Sequence, residues 1–375
     1  VGRGEGEELI PEYLDNLDNL KIVGGLTWRS NNEVVHNPDR PLISNLDQFP
    51  YPDRKSLPIE YIESMPMDAP AVLSLDRFCT MQTTRGCPFQ CIYCDIPSLA
   101  RGKWRSRSPE HVLGEMQQLN DDGYRSIYLT DDHFLMQRKR IEAVCNGIID
   151  KKLGFHWGCE GRVDSLAVEE LPLMVKANCT FLAFGVEAGT QKVLNRLKKG
   201  QTIEQIEHAV KQAKKDGIET AHGFFLIGSP DETTKDILES FRFAVRLKLD
   251  TFSFSRLCVY RGTPLWQEYV ERGIIDDERD WHKWFKCSDI DPTILPSEVV
   301  HQARKKGYML LFGYLLLLRP VATFRLLRKF SRYMTTSDIC TLLWGPFSKK
   351  AKTRKPELPE RMIEQGLDSP IRTAS

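Results

Sequence analysis

Excess charge of one sign is missing from this chain. Its 52 Lys and Arg stand against 51 Asp and Glu, for a formal net charge of +1. That balance argues against a nucleic-acid binder that relies on overall basicity. No apolar run approaches the ~20 residues a bilayer crossing needs; Tyr308–Leu318 ends at Arg319-Pro320. No G-x-G-x-x-G follows a strand-like run, which counts against a Rossmann-type sheet. Cysteine is sparse, 10 in 375 residues, too few for a disulfide-stapled scaffold. A second C-x2-C pair is missing, so a closed zinc site needs a ligand from elsewhere, Cys79 being the available one. The ferredoxin run C-x2-C-x2-C-x3-C is missing too. The chain begins at Val1 with no Met and no apolar leader, and reads as a fragment.

Hydrophobic residues at 41% and charged residues at 27% describe an ordinary soluble globular protein. Its length allows one large domain plus appendages. Free cysteines point to a reducing, cytoplasmic setting. Three of them, Cys87, Cys91 and Cys94, fall in one short loop, Arg85–Asp95, with the spacing C-x3-C-x2-C. A loop of this kind can wrap three corners of an iron–sulfur cube and leave the fourth iron without a protein ligand. An open metal position is where chemistry happens. Arg85, Arg101, Lys103, Arg105 and Arg107 lie close in sequence. They are either a solvated basic loop or charges that tune a potential spanning about −700 to +450 mV across iron–sulfur proteins.

The stretch Thr83-Thr-Arg-Gly-Cys-Pro-Phe-Gln-Cys-Ile-Tyr-Cys94 resembles the cluster loop of radical S-adenosylmethionine (SAM) enzymes. The resemblance implies a [4Fe–4S] cluster on Cys87, Cys91 and Cys94, with SAM chelating the open iron. It implies that Tyr93 packs beside the adenine. It also implies reductive cleavage to a 5′-deoxyadenosyl radical, fed by an electron donor such as a flavodoxin or ferredoxin.

From about residue 75 the pattern alternates strand and helix, as in a parallel sheet wound with helices. Strands are expected over Arg77–Thr84, Ser126–Thr130, Phe155–Val163, Phe181–Val186, Glu219–Ile227 and Thr251–Val259. Helices are expected over Arg138–Lys152, Ala167–Ala177, Thr202–Asp216 and Thr234–Lys248, with another opening at Ser108-Pro109. Six units suggest an α/β fold, an open (β/α)6 partial TIM-like barrel whose site lies at the carboxyl ends of its strands.

Asp131 and Asp132 follow the second strand and either cap a turn or, as the resemblance implies, meet the methionine amino group. Glu160 and Arg162 share a facing on the third strand. They are either a solvent-end ion pair or a costly buried pair, in which Arg162 meets the methionine carboxylate, as in similar enzymes. Gly185-Val-Glu-Ala-Gly-Thr190 resembles the G-V-E-S-G-S segment of cobalamin-associated members, which implies that Glu187 meets the ribose or amino group. The match continues through Gln191–Gly200. Gly223–Thr233 resembles the segment supporting adenine, where Gly228 gives backbone room, and Tyr260-Arg-Gly-Thr-Pro264 matches the turn leaving the sixth strand.

Residues 1–20, with a helix over Tyr13–Leu20, resemble the end of a cobalamin-binding domain. Residues 21–72, with a hairpin over Lys21–Arg29 at Gly24-Gly25, read as a linker. The radical SAM core is expected over 73–265, a helical region over 266–348 and a disordered tail over 349–375. The D-x-H-x-x-G cobalt-ligand motif is absent, so cobalamin binding belongs to the full-length protein. His282, His301, Cys258 and Cys287 have no metal-ligand spacing. Val321–Tyr333 mixes apolar and basic residues, as in either a packed helix or one lying on an anionic membrane surface at the inner face.

The resemblance implies methylation, cyclisation or rearrangement of a hydrophobic small molecule. Methylthiolation of transfer RNA or protein is an alternative that needs a further three-cysteine cluster. A non-catalytic iron–sulfur electron carrier or sensor is another.

Overall fold

Short runs rich in aromatic and β-branched residues form the strands, as their pleated packing favours. The computed structural model describes residues 1–56, 77–165, 168–276 and 295–318, all within one compact unit, Val1–Tyr333. β1 (Thr27–Ser30) and β2 (Glu33–His36) make a hairpin near the N-terminus. β3 (Phe78–Met81) starts the main sheet, and β4 (Thr84–Arg85) pairs with β5 (Arg105–Ser106) beside it. β6 (Ser126–Leu129), β7 (His156–Gly161), β8 (Cys179–Glu187), β9 (Thr220–Ile227) and β10 (Thr251–Arg256) complete it. The spatial order is β10-β9-β8-β7-β6-β3, parallel throughout. The order never reverses, so the sheet lacks the switch point of a doubly wound fold and is the expected open (β/α)6 half-barrel.

The helices are α1 (Gly6–Asp15), α2 (Pro109–Asp121), α3 (Arg138–Asp150), α4 (Leu171–Lys176), α5 (Gln191–Arg196), α6 (Ile203–Asp216), α7 (Thr234–Arg246), α8 (Pro264–Glu271) and α9 (Ser297–Leu318). A single further turn covers Ile96–Leu99. Local chemistry marks several starts. Ser108 Oγ accepts from His111 N at 3.1 Å, with Pro109 first in α2. Thr202 and Gln205 form a capping box for α6, which ends at Gly217 with φ +106°. Ile127, Leu129, Trp157, Leu182, Phe184 and Phe225 lie on one face of the sheet and pack with the helices into a single core.

Some sequence boundaries shift. The hairpin turns at Asn31-Asn32, not at Gly24-Gly25; both asparagines have positive φ, 47° and 68°, as a two-residue primed turn requires. Gly25 instead lets the chain pass Arg3, whose carbonyl a Cβ there would meet at 2.5 Å. The expected helix over Tyr13–Leu20 lies earlier, as α1. The one over Ala167–Ala177 is broken into a 3-10 turn, Val168–Glu170, and α4, with Pro172 in its first turn. α5 was not anticipated. The apolar run Tyr308–Leu318 is the second half of α9. Gly307 lets it close on Phe241, which a Cβ would strike at 2.2 Å. Among the described residues no helix is long and apolar enough to cross a membrane. Val321–Tyr333, His282, Cys287 and the tail beyond Lys349 lie outside the described residues.

Gly189 fixes how β8 meets α7. Its N–H donates to Ser240 Oγ at 2.8 Å, and a Cβ would lie 2.6 Å from Ser240 Cα. Gly189→Ala is expected to cost about 1–3 kcal/mol of stability in urea unfolding; wild-type stability would mean that α7 moves aside freely.

Candidate functional site

The cysteine loop leaves the carboxyl edge of the sheet through the β4–β5 ladder. Gly86 opens it with φ +88°, where a Cβ would fall 2.0 Å from Lys103 O; only glycine fits this approach. Asp131, buried behind the loop, accepts from the Thr83 amide and hydroxyl and from Thr84 N at 2.8 Å. Burial raises its pKa, against those hydrogen bonds. Asp132 Oδ2 accepts from Gly86 N at 2.6 Å. Both aspartates therefore grip the backbone leading into Cys87. The far side is held by Ile92 N to Leu197 O, 3.1 Å, and Leu265 N to Ile92 O, 3.0 Å.

The basic residues near the loop are largely engaged elsewhere. Arg85 pairs with Glu5 at 2.9 Å and with Glu7, Arg105 with Glu5 at 2.8 Å, and Arg107 with Glu115 at 2.5 Å. The Arg85 and Arg105 contacts pin the start of α1 to the ladder, and that of Arg107 ties the ladder to α2.

The cation that hydrogen-bonds a thiol is Arg162, only 6% exposed. Its Nη1 donates to Cys91 Sγ at 3.4 Å, and its plane stacks on Phe89 with Cζ 3.7 Å from the ring centre. Nε and Nη2 grip Asp164 at 3.0 and 2.8 Å, and Nη2 also donates to Lys199 O. The expected Glu160–Arg162 pair is not formed. Arg162 lies past the end of β7 and turns to Asp164, while Glu160 accepts a hydrogen bond from Tyr128 OH.

Lys199 Nζ donates to Glu187 Oε1 at 2.7 Å, both side chains buried. Glu187 ends β8 at a bulge with φ +63°, a conformation rare for a non-glycine residue, which turns its carboxylate back over Gly185. Burial, Glu187 and the neighbouring thiols push the Tyr93 hydroxyl far above its ordinary value. Burial likewise raises the Cys94 thiol to about 11, with further upward pushes from Cys91, Asp95 and Cys87. Gly228, with φ +86°, donates its N–H to Glu232 Oε2 at 2.6 Å, and Ser229 N donates to the same oxygen at 2.9 Å.

Lys199, Phe89 and Asp164 were not picked out from the sequence. Lys199 lies inside the matched stretch Gln191–Gly200, which was the one available signal. Cys79 faces the helix-side core with its thiol pushed up to about 12 by burial, and is no fourth ligand.

A sequence profile of the radical SAM superfamily matches residues 81–244. An uncharacterized methyltransferase of Pyrococcus horikoshii is 32% identical over 82% of this chain and 66% of its own length. The chain belongs to the radical SAM superfamily. An anaerobic magnesium-protoporphyrin IX monomethyl ester cyclase of Rubrivivax gelatinosus is 29% identical over 72% of this chain and 49% of its own. The chain thus spans about half to two thirds of the length of these relatives. In fold, this radical SAM chain superposes on the methyltransferase TsrM of Kitasatospora setae, solved with cobalamin and a [4Fe–4S] cluster bound. The TM-score is 0.62 at 18% identity, over 72% of this chain and 53% of that one.

The superfamily implies a [4Fe–4S] cluster and SAM, and the residues present fit them. Cys87, Cys91 and Cys94 are free thiols on one loop. Among the described residues no three His, Cys, Asp or Glu side chains converge on the position of a single ion. Ligands of a polynuclear cluster, each meeting a different iron, need no such convergence.

Glu232 beneath the Gly228 turn is buried, its Oε1 unpartnered, and its pKa is pushed up to about 7 from the ordinary 4.5. The folded carboxyl holds its proton more tightly than the unfolded one. This contribution to stability is therefore full below pH 4.5 and is lost as pH rises through about 7. Glu232→Gln is expected to remove a fall on the order of 2–3 kcal/mol between pH 5 and 8, read by urea unfolding at each pH. Identical pH dependence in the two proteins would contradict this.

Proposed function

We propose that this chain carries a site-open [4Fe–4S] cluster on Cys87, Cys91 and Cys94 and cleaves SAM reductively. The radical then serves methylation, cyclisation or rearrangement of a hydrophobic small molecule. The observation that carries the reading is the C-x3-C-x2-C loop whose central thiol receives a hydrogen bond from the buried Arg162 guanidinium. Held by Cys87, Cys91 and Cys94, the cluster would supply the one electron needed to break the C5′–S bond of SAM into methionine and a 5′-deoxyadenosyl radical able to take a hydrogen atom from substrate.

The chain's own residues divide the remaining work. Arg162 and Lys199 set positive charge beside the thiolates, and a charge-assisted N–H to sulfur favours the more negative, reduced state. Tyr93 flanks the adenine, and its neighbour Glu187 takes the ribose or the amino group. Gly228 leaves the backbone open beneath the adenine. Asp131 and Asp132 act through the loop, as positioning residues. The Arg162 guanidinium, taken up by Asp164, Cys91 and Lys199, supports a role toward the cluster rather than the methionine carboxylate.

Methylation and cyclisation both find support in the names of the relatives. On this reading residues 1–20 are the end of a cobalamin-binding domain and 21–72 its linker. Cobalamin is then held by residues other than these, since no D-x-H-x-x-G occurs here. A flavodoxin or ferredoxin serves as electron donor. Met309 and Leu317, exposed on α9, support a peripheral membrane contact at the cytoplasmic face.

Anaerobic reconstitution with iron and sulfide, followed by dithionite and SAM, is the test. Wild type is expected to form 5′-deoxyadenosine, and Cys87→Ala, Cys91→Ala or Cys94→Ala to abolish it. Wild-type protein that binds a full complement of iron yet neither forms the nucleoside nor transfers a methyl group contradicts the proposal.

A further inference from the structure

The neck of the cysteine loop is closed by two strands of two residues each, β4 and β5, with Thr84 opposite Ser106 and Arg85 opposite Arg105. A ladder this short contributes little stability on its own. The pair nearest the loop also sets two cations directly across from one another, which pushes a strand pair apart. Arg85 lies two residues before Cys87, so whatever splays this pair shifts the entry to the first thiol.

One carboxylate sits between the two arginines. Glu5 Oε1 accepts from Arg85 Nη1 at 2.9 Å and from Arg105 Nη1 at 3.0 Å, while Oε2 accepts from Arg105 Nη1 at 2.8 Å. Oε2 also accepts from Ile43 N at 2.8 Å, and Arg105 Nη1 donates to Ile43 O at 2.5 Å. The N-terminal segment, the stretch around Ile43 and both strands of the neck therefore meet at this one side chain. Glu5 stands at the N-cap of α1 yet makes no capping bond, because its carboxylate is turned to the ladder.

Glu7 reaches Arg85 alone, so among the described residues Glu5 is the carboxylate that meets both arginines. Burial raises its pKa, but hydrogen bonds from Arg105, the Ile43 amide and Arg85 outweigh burial and hold the carboxyl below its ordinary 4.5. At neutral pH it is a full negative charge between two positive ones. Its side chain is only 15% exposed, so water screens the attraction less than at an open surface.

We infer that Glu5 is a positioning residue for the cluster loop: its carboxylate, carried by the N-terminal segment, bridges Arg85 and Arg105 and holds the neck of the loop closed. Residues 1–20, proposed above to end a cobalamin-binding domain, thus reach the loop through one charged group. What the loop holds rests on the function proposed above; its closure by Glu5 does not.

Glu5→Gln keeps a hydrogen-bond acceptor and removes the charge. Combining it with Arg105→Gln also removes the like-charge pair and leaves Arg85 to Glu7. Hydrogen exchange of the full, metal-free chain, followed by mass spectrometry, reads the neck through peptides covering residues 83–107. Glu5→Gln should speed exchange there about tenfold, the low end for losing a bond between charged groups, with peptides from β8 and β9 unchanged. The double variant should exchange more slowly than Glu5→Gln. In anaerobically reconstituted protein the same order is expected for iron lost to bathophenanthroline disulfonate, with Glu5→Gln fastest and wild type slowest. Wild-type exchange in Glu5→Gln overturns the inference. So does a double variant that exchanges as fast as the single one, the result for a residue that only anchors α1, and so does iron loss at one rate in all three proteins. Exchange in the expected order in a chain that assembles no four-iron cluster contradicts the function proposed above and upholds the closure.

Discussion

A guanidinium taken out of water must have its N–H groups satisfied, or it destabilises whatever holds it. Arg162 meets that demand with partners drawn from three parts of the chain. Asp164 comes from its own segment, the Lys199 carbonyl from the stretch after α5, and Cys91 from the cysteine loop. Phe89 closes one face of the plane. A shift of the loop would take the Cys91 acceptor and the Phe89 ring away from this buried cation, and a lost hydrogen bond to a charged group costs about 1.5–3 kcal/mol. The Lys199–Glu187 pair, with the strained turn at Glu187, extends the same network to the rim of β8.

The second constraint is the division of the sheet. Its helix side is filled by large apolar side chains and supplies the stability. The inner face keeps small residues, Ala183 and Gly185, where the polar groups converge. Stability and chemistry are thus assigned to opposite faces of the same strands. A substitution's consequences follow from the parity of its position.

Local signals were legible in the sequence. The cysteine spacing, the six strand–helix alternations and the cap at Ser108 all depend on near neighbours, and the fold bears out the half-barrel they implied. Signals carried by distant pairing were not. Arg85 and Arg105 seemed candidates to tune a cluster because Glu5, some 80 and 100 residues away, is invisible as their partner in a linear reading. Glu160 and Arg162 seemed a pair because strand periodicity gave them one facing, yet β7 ends at Gly161, before the arginine. Lys199 carried no motif of its own; only the turn after α5 brings its ammonium to Glu187.

The whole account turns on an iron that the protein leaves free for SAM. Mössbauer spectroscopy of 57Fe-reconstituted, oxygen-free protein reads this directly. The account predicts a [4Fe–4S] spectrum in which one iron site alone changes its isomer shift when SAM is added. A spectrum that SAM leaves unaltered, as from a cube ligated entirely by side chains, would contradict it.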